Sequence, residues 1–166
     1  MWLKSIIQLI KEKGFFVPLV KLRFGLKKSS KKGIKSMFKF SVKSLEQLKT
    51  CDPDLQRLFN KVVEHMDCTI ICGYRNKEDQ EAAFFAGTTQ LHFPNSKHNQ
   101  LPSIAVDVMP YPIDWRDTTK IHHFAGYVKG IADSLNINIL WGGDWNSFVD
   151  LPHYELIKPQ FEDNEI

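Results

Sequence analysis

Cysteine is scarce: the 166 residues contain three, Cys51, Cys68 and Cys72. So small and odd a number excludes a disulfide scaffold. Cys68 and Cys72 lie close together, but no second cysteine pair exists to complete a zinc cage. All three read as small core residues of a protein made in a reducing cytosol. Long apolar runs are missing too. Within the first 36 residues the longest uncharged stretch is Gly14–Val20, far short of the roughly 20 residues that cross a bilayer. Lys11, Glu12 and Lys13 interrupt the apolar patches there and no small-residue cleavage site follows, so no export signal is expected. The chain has no internal repeat. No serine or cysteine stands in a recognisable motif with histidine and acid neighbours, which argues against a covalent intermediate.

Acids are nearly absent from one end. Residues 1–39 hold 11 Lys/Arg and one acid, Glu12, for a charge of +10, whereas residues 40–166 hold 11 Lys/Arg and 18 acids, for −7. The formal total of +3 conceals this division. A basic N-terminal extension over 1–36, a compact domain over 37–158 and a short tail over 159–166 are therefore expected. In the extension, Trp2, Leu3, Ile6, Ile7 and Ile10 recur at helical spacing beside lysines, Pro18 breaks the pattern, and Lys27–Gly33 reads as a basic linker. Lysines interleaved with Trp, Ile and Phe suit an anionic membrane or envelope surface. They also attract phosphates, but no nucleic-acid-binding motif accompanies them, so nucleic acid is not the expected partner.

The remainder is ordinary globular composition, with 43% hydrophobic and 25% charged residues. A short helix is expected over Ser44–Lys49. Asp52-Pro53 caps a second helix, whose Leu55, Leu58, Phe59, Val62, Val63 and Met66 share one face. Thr69–Cys72 is a short β run, and Asn76 caps a helix that Gly87 ends. In Ser103–Met109, alternation puts Ile104, Val106 and Val108 on one face and Ala105 and Asp107 on the other. Ile121, Phe124, Ala125, Val128, Ile131, Ala132 and Leu135 give the strongest helical stripe, ending near Asn136. Ile137–Trp141 and His153–Ile157 read as strands around a Gly142-Gly143 turn, with His153 and Glu155 on one face and Tyr154 and Leu156 on the other. Mixed elements with short connections predict an α+β fold with a small antiparallel sheet.

Three residues suggest chemistry. His98, Asp107 and His153 offer two imidazoles and a carboxylate, a donor set that suits Zn²⁺ and leaves a fourth position open for water. Asp150, three residues before His153, supplies a carboxylate beside the metal that can act as general base, with Asp144 as its rival. In a chain with six histidines the triplet alone is weak evidence; the residues around it add to it. Ser96-Lys-His98, Ala105-Val-Asp107 and Asp150-Leu-Pro-His153 occur in order, as do Ile71-Cys-Gly-Tyr-Arg75-Asn-Lys-Glu-Asp-Gln80 and Trp141-Gly-Gly-Asp-Trp-Asn-Ser-Phe-Val-Asp150.

These five blocks, from about Phe38 to Lys158, resemble the zinc peptidases that cut bacterial cell-wall peptides. That family includes D-alanyl-D-alanine carboxypeptidases, the D,D-dipeptidases of vancomycin resistance and phage L-alanyl-D-glutamate endopeptidases; the 71–80 and 141–150 blocks look like the phage members. The resemblance implies a central antiparallel sheet with helices on one face and a zinc cleft on the other, with one zinc per chain held by His98, Asp107 and His153. It places Arg75 at the substrate, where a guanidinium can grip a carboxylate, with Gln80 supporting Arg75 or the substrate. Ser96 would brace a ligand or contact substrate. This chain has eight residues between His98 and Asp107, where the common pattern has six, and Pro102-Ser103 where the pattern carries a glycine. A bulged loop is expected there. Hydrolysis of peptidoglycan stem peptides at L-Ala–D-Glu, by a monomer reaching the wall through phage lysis, is the leading expectation. D-Ala-D-Ala carboxypeptidase activity and a non-catalytic zinc-containing wall-binding module are the alternatives.

Overall fold

A computed structural model describes residues 37–157, so the basic extension, its expected helix and linker, and the C-terminal tail all lie outside the described residues. In chain order the elements are α1 (Val42–Leu48), α2 (Pro53–Val62), β1 (Cys68–Cys72), α3 (Lys77–Phe85), β2 (Ala105–Pro110), α4 (Thr118–Ser134), β3 (Ile139–Trp141) and β4 (His153–Leu156). Short 3₁₀ turns occupy Lys97–Asn99 and Gly142–Asp144. The fold is α+β, as the alternation and helical stripes predict. Each helix begins on a side chain that accepts a free backbone N–H. Ser41 caps α1, Asp52 caps α2 with Pro53 at its first position, Asn76 caps α3 and Asp117 caps α4. Helix α4 stops at Asn136, whose φ of 54° is one that asparagine tolerates better than most residues.

The four strands form one antiparallel sheet in the order β1-β2-β4-β3. Strand period 2 divides it into two unlike faces. On one, Val106, Val108, Tyr154 and Leu156 meet Leu55, Phe59 and Val62 of α2 and Ile121, Phe124 and Val128 of α4, all buried in one core. Tyr154 lies at its centre, edge-on to Phe59 at 5.5 Å and to Phe124 at 6.4 Å. Trp141 is buried in the same core, where Lys129 and His122 of α4 lie against its indole.

The other face carries a single row across three strands. Cys72 of β1 pairs with Asp107 of β2, which pairs with His153 of β4. A register shift between Ile70 and Cys72 sets the first of these pairs, a bulge of the kind that re-aims side chains beside functional sites. The outer edge of β1 is covered by side-chain oxygens. Ser44 Oγ accepts from Ile70 N, Gln47 Oε1 from Gly73 N and Thr50 Oγ1 from Tyr74 N. These bonds satisfy donors that an open edge would leave free for another strand. Gly73 is required here, because a Cβ would collide with Thr50 Oγ1 and the Gln47 carbonyl.

Candidate metal centre and cleft

Asp107 and His153 are directly opposed across β2 and β4, which brings their side chains together on the face away from the helices. His98 reaches the same point from the 3₁₀ turn. That turn is fixed by a reciprocal cap: Ser96 Oγ accepts from His98 N at 3.3 Å, and Asn99 Oδ1 accepts from Ser96 N at 3.0 Å. The Arg75 amide donates to the His98 carbonyl at 2.9 Å, tying the turn to the end of β1. Between His98 and Asp107 the extra residues swing outward, with Leu101 72% exposed, and return at Ser103. Ser103 is then held by backbone bonds with Thr50 and Asp52.

Three donor atoms converge. His98 Nε2 lies 3.2 Å from Asp107 Oδ1 and 3.2 Å from His153 Nδ1, and His153 Nδ1 lies 3.3 Å from Asp107 Oδ1. A tetrahedral ion with metal–nitrogen bonds of about 2.0–2.1 Å separates its ligand atoms by about 3.3–3.4 Å. The triangle therefore fits zinc without rearrangement. The outer nitrogens fix the tautomers: His98 Nδ1 donates to the Gly73 carbonyl at 2.7 Å and His153 Nε2 to Glu155 Oε2 at 3.1 Å. With the outer nitrogens committed to these acceptors, the inner nitrogen of each ring faces the shared point, and its lone pair becomes available to a cation that displaces its proton.

The electrostatics favour a cation there. Burial opposes charge on His98, but the neighbouring Asp107 carboxylate outweighs it and carries the imidazole up to about 10. His153 is likewise raised, against burial, by Asp107 and Glu155. Burial raises Asp107, and the two imidazoles more than reverse this, holding it well below the ordinary carboxylate range. Asp150 differs. Burial, then the charge of Asp107, pushes its carboxyl up. A carboxylate oxygen of Asp150 comes within 4.8 Å of a carboxylate oxygen of Asp107 and a ring nitrogen of His153. A carboxylate of raised basicity beside a cation seat can take and return a proton.

Around this point a cavity of about 730 Å³ opens, lined by Arg75, Ser96, Trp115, Trp145 and Asp150 among others. Arg75 donates from Nη2 to Asp107 Oδ2 at 3.3 Å and from Nη1 to Gln80 Oε1 at 3.2 Å. Gln80 is 0% exposed and does not line the cavity. Its amide also accepts from Asn99 Nδ2 and donates to the Leu91 carbonyl, so it joins α3, the His98 turn and Arg75. Ser96 is buried at the cavity wall, with its hydroxyl on the His98 amide. Trp145 lies over His153 with ring centres 5.0 Å apart. Trp141 stays on the helix side, donating to the Leu151 carbonyl. Asp144 is outside the cavity, in an ion pair with Lys129, and His92 pairs with Glu81 away from it.

One neighbour was not legible in the sequence. Cys51 and Cys68 are core residues whose thiols burial pushes up to about 12. Cys72, expected beside them, opens instead on the cavity and stands close enough to His98 and Asp107 to form a second potential metal-binding group. Strand alternation alone would send Cys72 to the same face as Ile70. The bulge between them changes that, and no local sequence signal marks it.

Known proteins resemble this chain. A family model described as phage L-alanyl-D-glutamate peptidase matches residues 36–163. The L-alanyl-D-glutamate peptidase of Escherichia phage T5 is 29% identical over 134 residues, covering 78% of this chain and 96% of that protein. Among solved structures, the L-Ala D-Glu endopeptidase ChiX of Serratia marcescens superposes with a TM-score of 0.61 at 27% identity, over 77% of this chain and 96% of that one.

Proposed function

The chain belongs to the phage L-alanyl-D-glutamate peptidase family, and from that premise we propose that it hydrolyses the L-Ala–D-Glu bond of peptidoglycan stem peptides as a zinc enzyme. The observation that carries this reading is the equilateral triangle of His98, Asp107 and His153 donor atoms with the Asp150 carboxylate beside it. Those three residues would hold the ion. Bound there, zinc supplies Lewis acidity, making an attacking water acidic near neutral pH and polarising the scissile carbonyl.

The chain's own residues do the rest. Asp150 accepts the proton of the attacking water and passes it to the departing D-Glu amine, so that no proton need come from bulk solvent. Glu155 and the Gly73 carbonyl hold both imidazoles in the tautomer that ligates. Arg75 has five N–H donors; those not bonded to Asp107, Gln80 and Cys72 Sγ remain for a substrate carboxylate, and the D-Glu residue and the C-terminal D-Ala of a stem peptide each offer one. Gln80 and Ser96 act behind these groups, the first by setting the guanidinium and the second by setting the His98 turn. Trp145 shields His153 from solvent.

Digestion of purified peptidoglycan tests the reading, with the new chain ends identified by mass spectrometry. Free N-terminal D-Glu, lost on chelation and restored by zinc, is the expected product. Release of terminal D-Ala would instead make the protein a carboxypeptidase, and no release at all would make it a binding module.

The peptidase domain in this reading is residues 37–158, working as a monomer at the cell wall after phage lysis, with 159–166 a short tail. Residues 1–36 are an envelope-binding extension, motivated by their ten Lys/Arg against a single acid, set among Trp, Ile and Phe. Each basic residue near an anionic lipid surface adds about 1 kcal/mol. A chain beginning at Met37 should therefore keep its activity on soluble muropeptides and lose salt-sensitive binding to anionic liposomes; equal liposome binding by both chains would refute the assignment.

A further inference from the structure

The cleft wall carries exposed apolar side chains. Leu91, Trp115 and Val149 line the cavity while 45%, 57% and 59% exposed. Trp115 stands apart among them. Trp141 is buried and Trp145, against His153, is half-buried, so Trp115 is the one exposed tryptophan among the described residues. No hydrogen bond or ring contact engages its indole there.

The segment that carries it is nonetheless fixed. Arg116 N donates to Asp114 Oδ1 at 2.9 Å, Thr118 N to the Arg116 carbonyl at 3.0 Å, and Lys120 Nζ to the Pro112 carbonyl at 2.7 Å. A ring displayed from a hydrogen-bonded turn binds without first having to be ordered. Exposure of a large aromatic in a cleft marks a contact surface rather than a packing residue.

The chemistry of the substrate says what that surface meets. This inference rests on the L-Ala–D-Glu reading above. In peptidoglycan the L-Ala amine is acylated by the lactyl group of N-acetylmuramic acid. One residue spans at most about 3.6 Å, so the sugar lies within roughly two residue lengths of the bond to be cut. An enzyme that cuts this bond in the intact wall must therefore admit a pyranose close to the metal ligands. D-Glu and the residues beyond it offer carboxylates and amides, which suit Arg75. The flat C–H face of the sugar, with the lactyl and alanyl methyls, is the apolar surface nearest the cut. An indole matches such a face in size and flatness.

We propose that Trp115 forms a sugar subsite, stacking on the N-acetylmuramoyl ring and making the enzyme prefer stem peptides still attached to glycan. The test compares kcat/KM on two substrates that differ only in the sugar: a muramoyl stem peptide and the same peptide capped with N-lactoyl. For the wild type, the muramoyl substrate should be favoured. In Trp115→Ala the ratio of the two kcat/KM values should fall about tenfold, through KM rather than kcat, as expected for loss of one stacked ring. Trp115→Phe, which keeps a flat face, should recover most of the preference. The lactoyl substrate also reports on folding of each variant. An unchanged ratio in Trp115→Ala, whether both rates fall together or neither falls, would overturn the subsite. A wild type inert on both substrates would overturn the peptidase reading itself, and the sugar subsite with it.

Discussion

His153 and Asp107 face each other as a register pair of β4 and β2, and their Nδ1 and Oδ1 atoms are 3.3 Å apart. The contact is made by the sheet. Strand pairing alone puts two of the three candidate ligands within reach, and only His98 has to be delivered by a turn. A site built this way has its geometry set before any ion arrives, which lowers the ordering cost of binding.

Metal content should follow that geometry. Purified protein should contain close to one zinc per chain by elemental mass spectrometry, and His98→Ala or His153→Ala should lose most of it together with activity. Because the ion binds the folded state, chelation should also lower the melting temperature of the wild type and leave that of the two variants unmoved. Full occupancy in both variants would remove the assignment.

Asp150→Asn should retain zinc and fold normally while turnover falls by about 10²–10⁴, the loss typical of a missing general base. The pH dependence has a definite sign. Asp150 must be ionised to accept a proton, and burial with the nearby Asp107 charge raises its pKa. Activity should therefore fail on the acid side at a pH above the ordinary aspartate value of about 3.9. A wild-type rate for Asp150→Asn would assign the proton transfer to another carboxylate, Glu155 being the nearest to His153.

Gln80 should matter although nothing in the cleft touches it. Gln80→Leu fills the space but leaves an Arg75 N–H, an Asn99 N–H and the Leu91 carbonyl short of a partner. A cost of roughly 1–3 kcal/mol is expected in urea unfolding, with a rise in KM as Arg75 loses its brace. Gln80→Glu keeps the acceptor for Arg75 and should preserve KM better than Leu does. Identical KM for Gln80→Leu and wild type would separate Gln80 from Arg75.

Tyr154→Phe should be neutral or stabilising. The hydroxyl is buried with no hydrogen-bond partner among the described residues, and burial drives its pKa upward. Removing it takes away a desolvated polar group of roughly 1–3 kcal/mol while keeping the ring contacts with Phe59 and Phe124. Thermal or urea unfolding measures this directly. A clear loss of stability would mean that the hydroxyl is satisfied in solution.

Features written in a local period were readable in the sequence. The helix starts at Asp52 and Asn76, the stripe of α4, and the two faces of β2 and β4 follow from spacing and capping chemistry within a few residues. Strands β2, β3 and β4 proved shorter than expected, whereas β1 begins one residue earlier, at Cys68. Residues 137–138 and 103–104 precede β3 and β2 instead of joining them, and Ser103 serves a bridge to Cys51. What could not be read were relations set by pairing. The bulge that turns Cys72 toward the cavity, the bonds of Gln80 to Leu91 and Asn99, and the side of the sheet that Trp141 takes all depend on which segment lies beside which. Trp141 and Trp145 look equivalent around the Gly-Gly turn. Only the fold sends one to α4 and the other over His153.

The alternation along β4 joins chemistry to folding in one further way. His153 and Glu155 look into the cleft while Tyr154 and Leu156 look into the core. A slip of one residue would turn Tyr154 and Leu156 out and the imidazole in. Such a misfolded chain could not assemble the triangle, and the ion would bind only the correctly aligned sheet. Metal present during refolding would thus act as a proofreader of strand register, drawing chains out of the slipped alignment by mass action and not by any contact with the core.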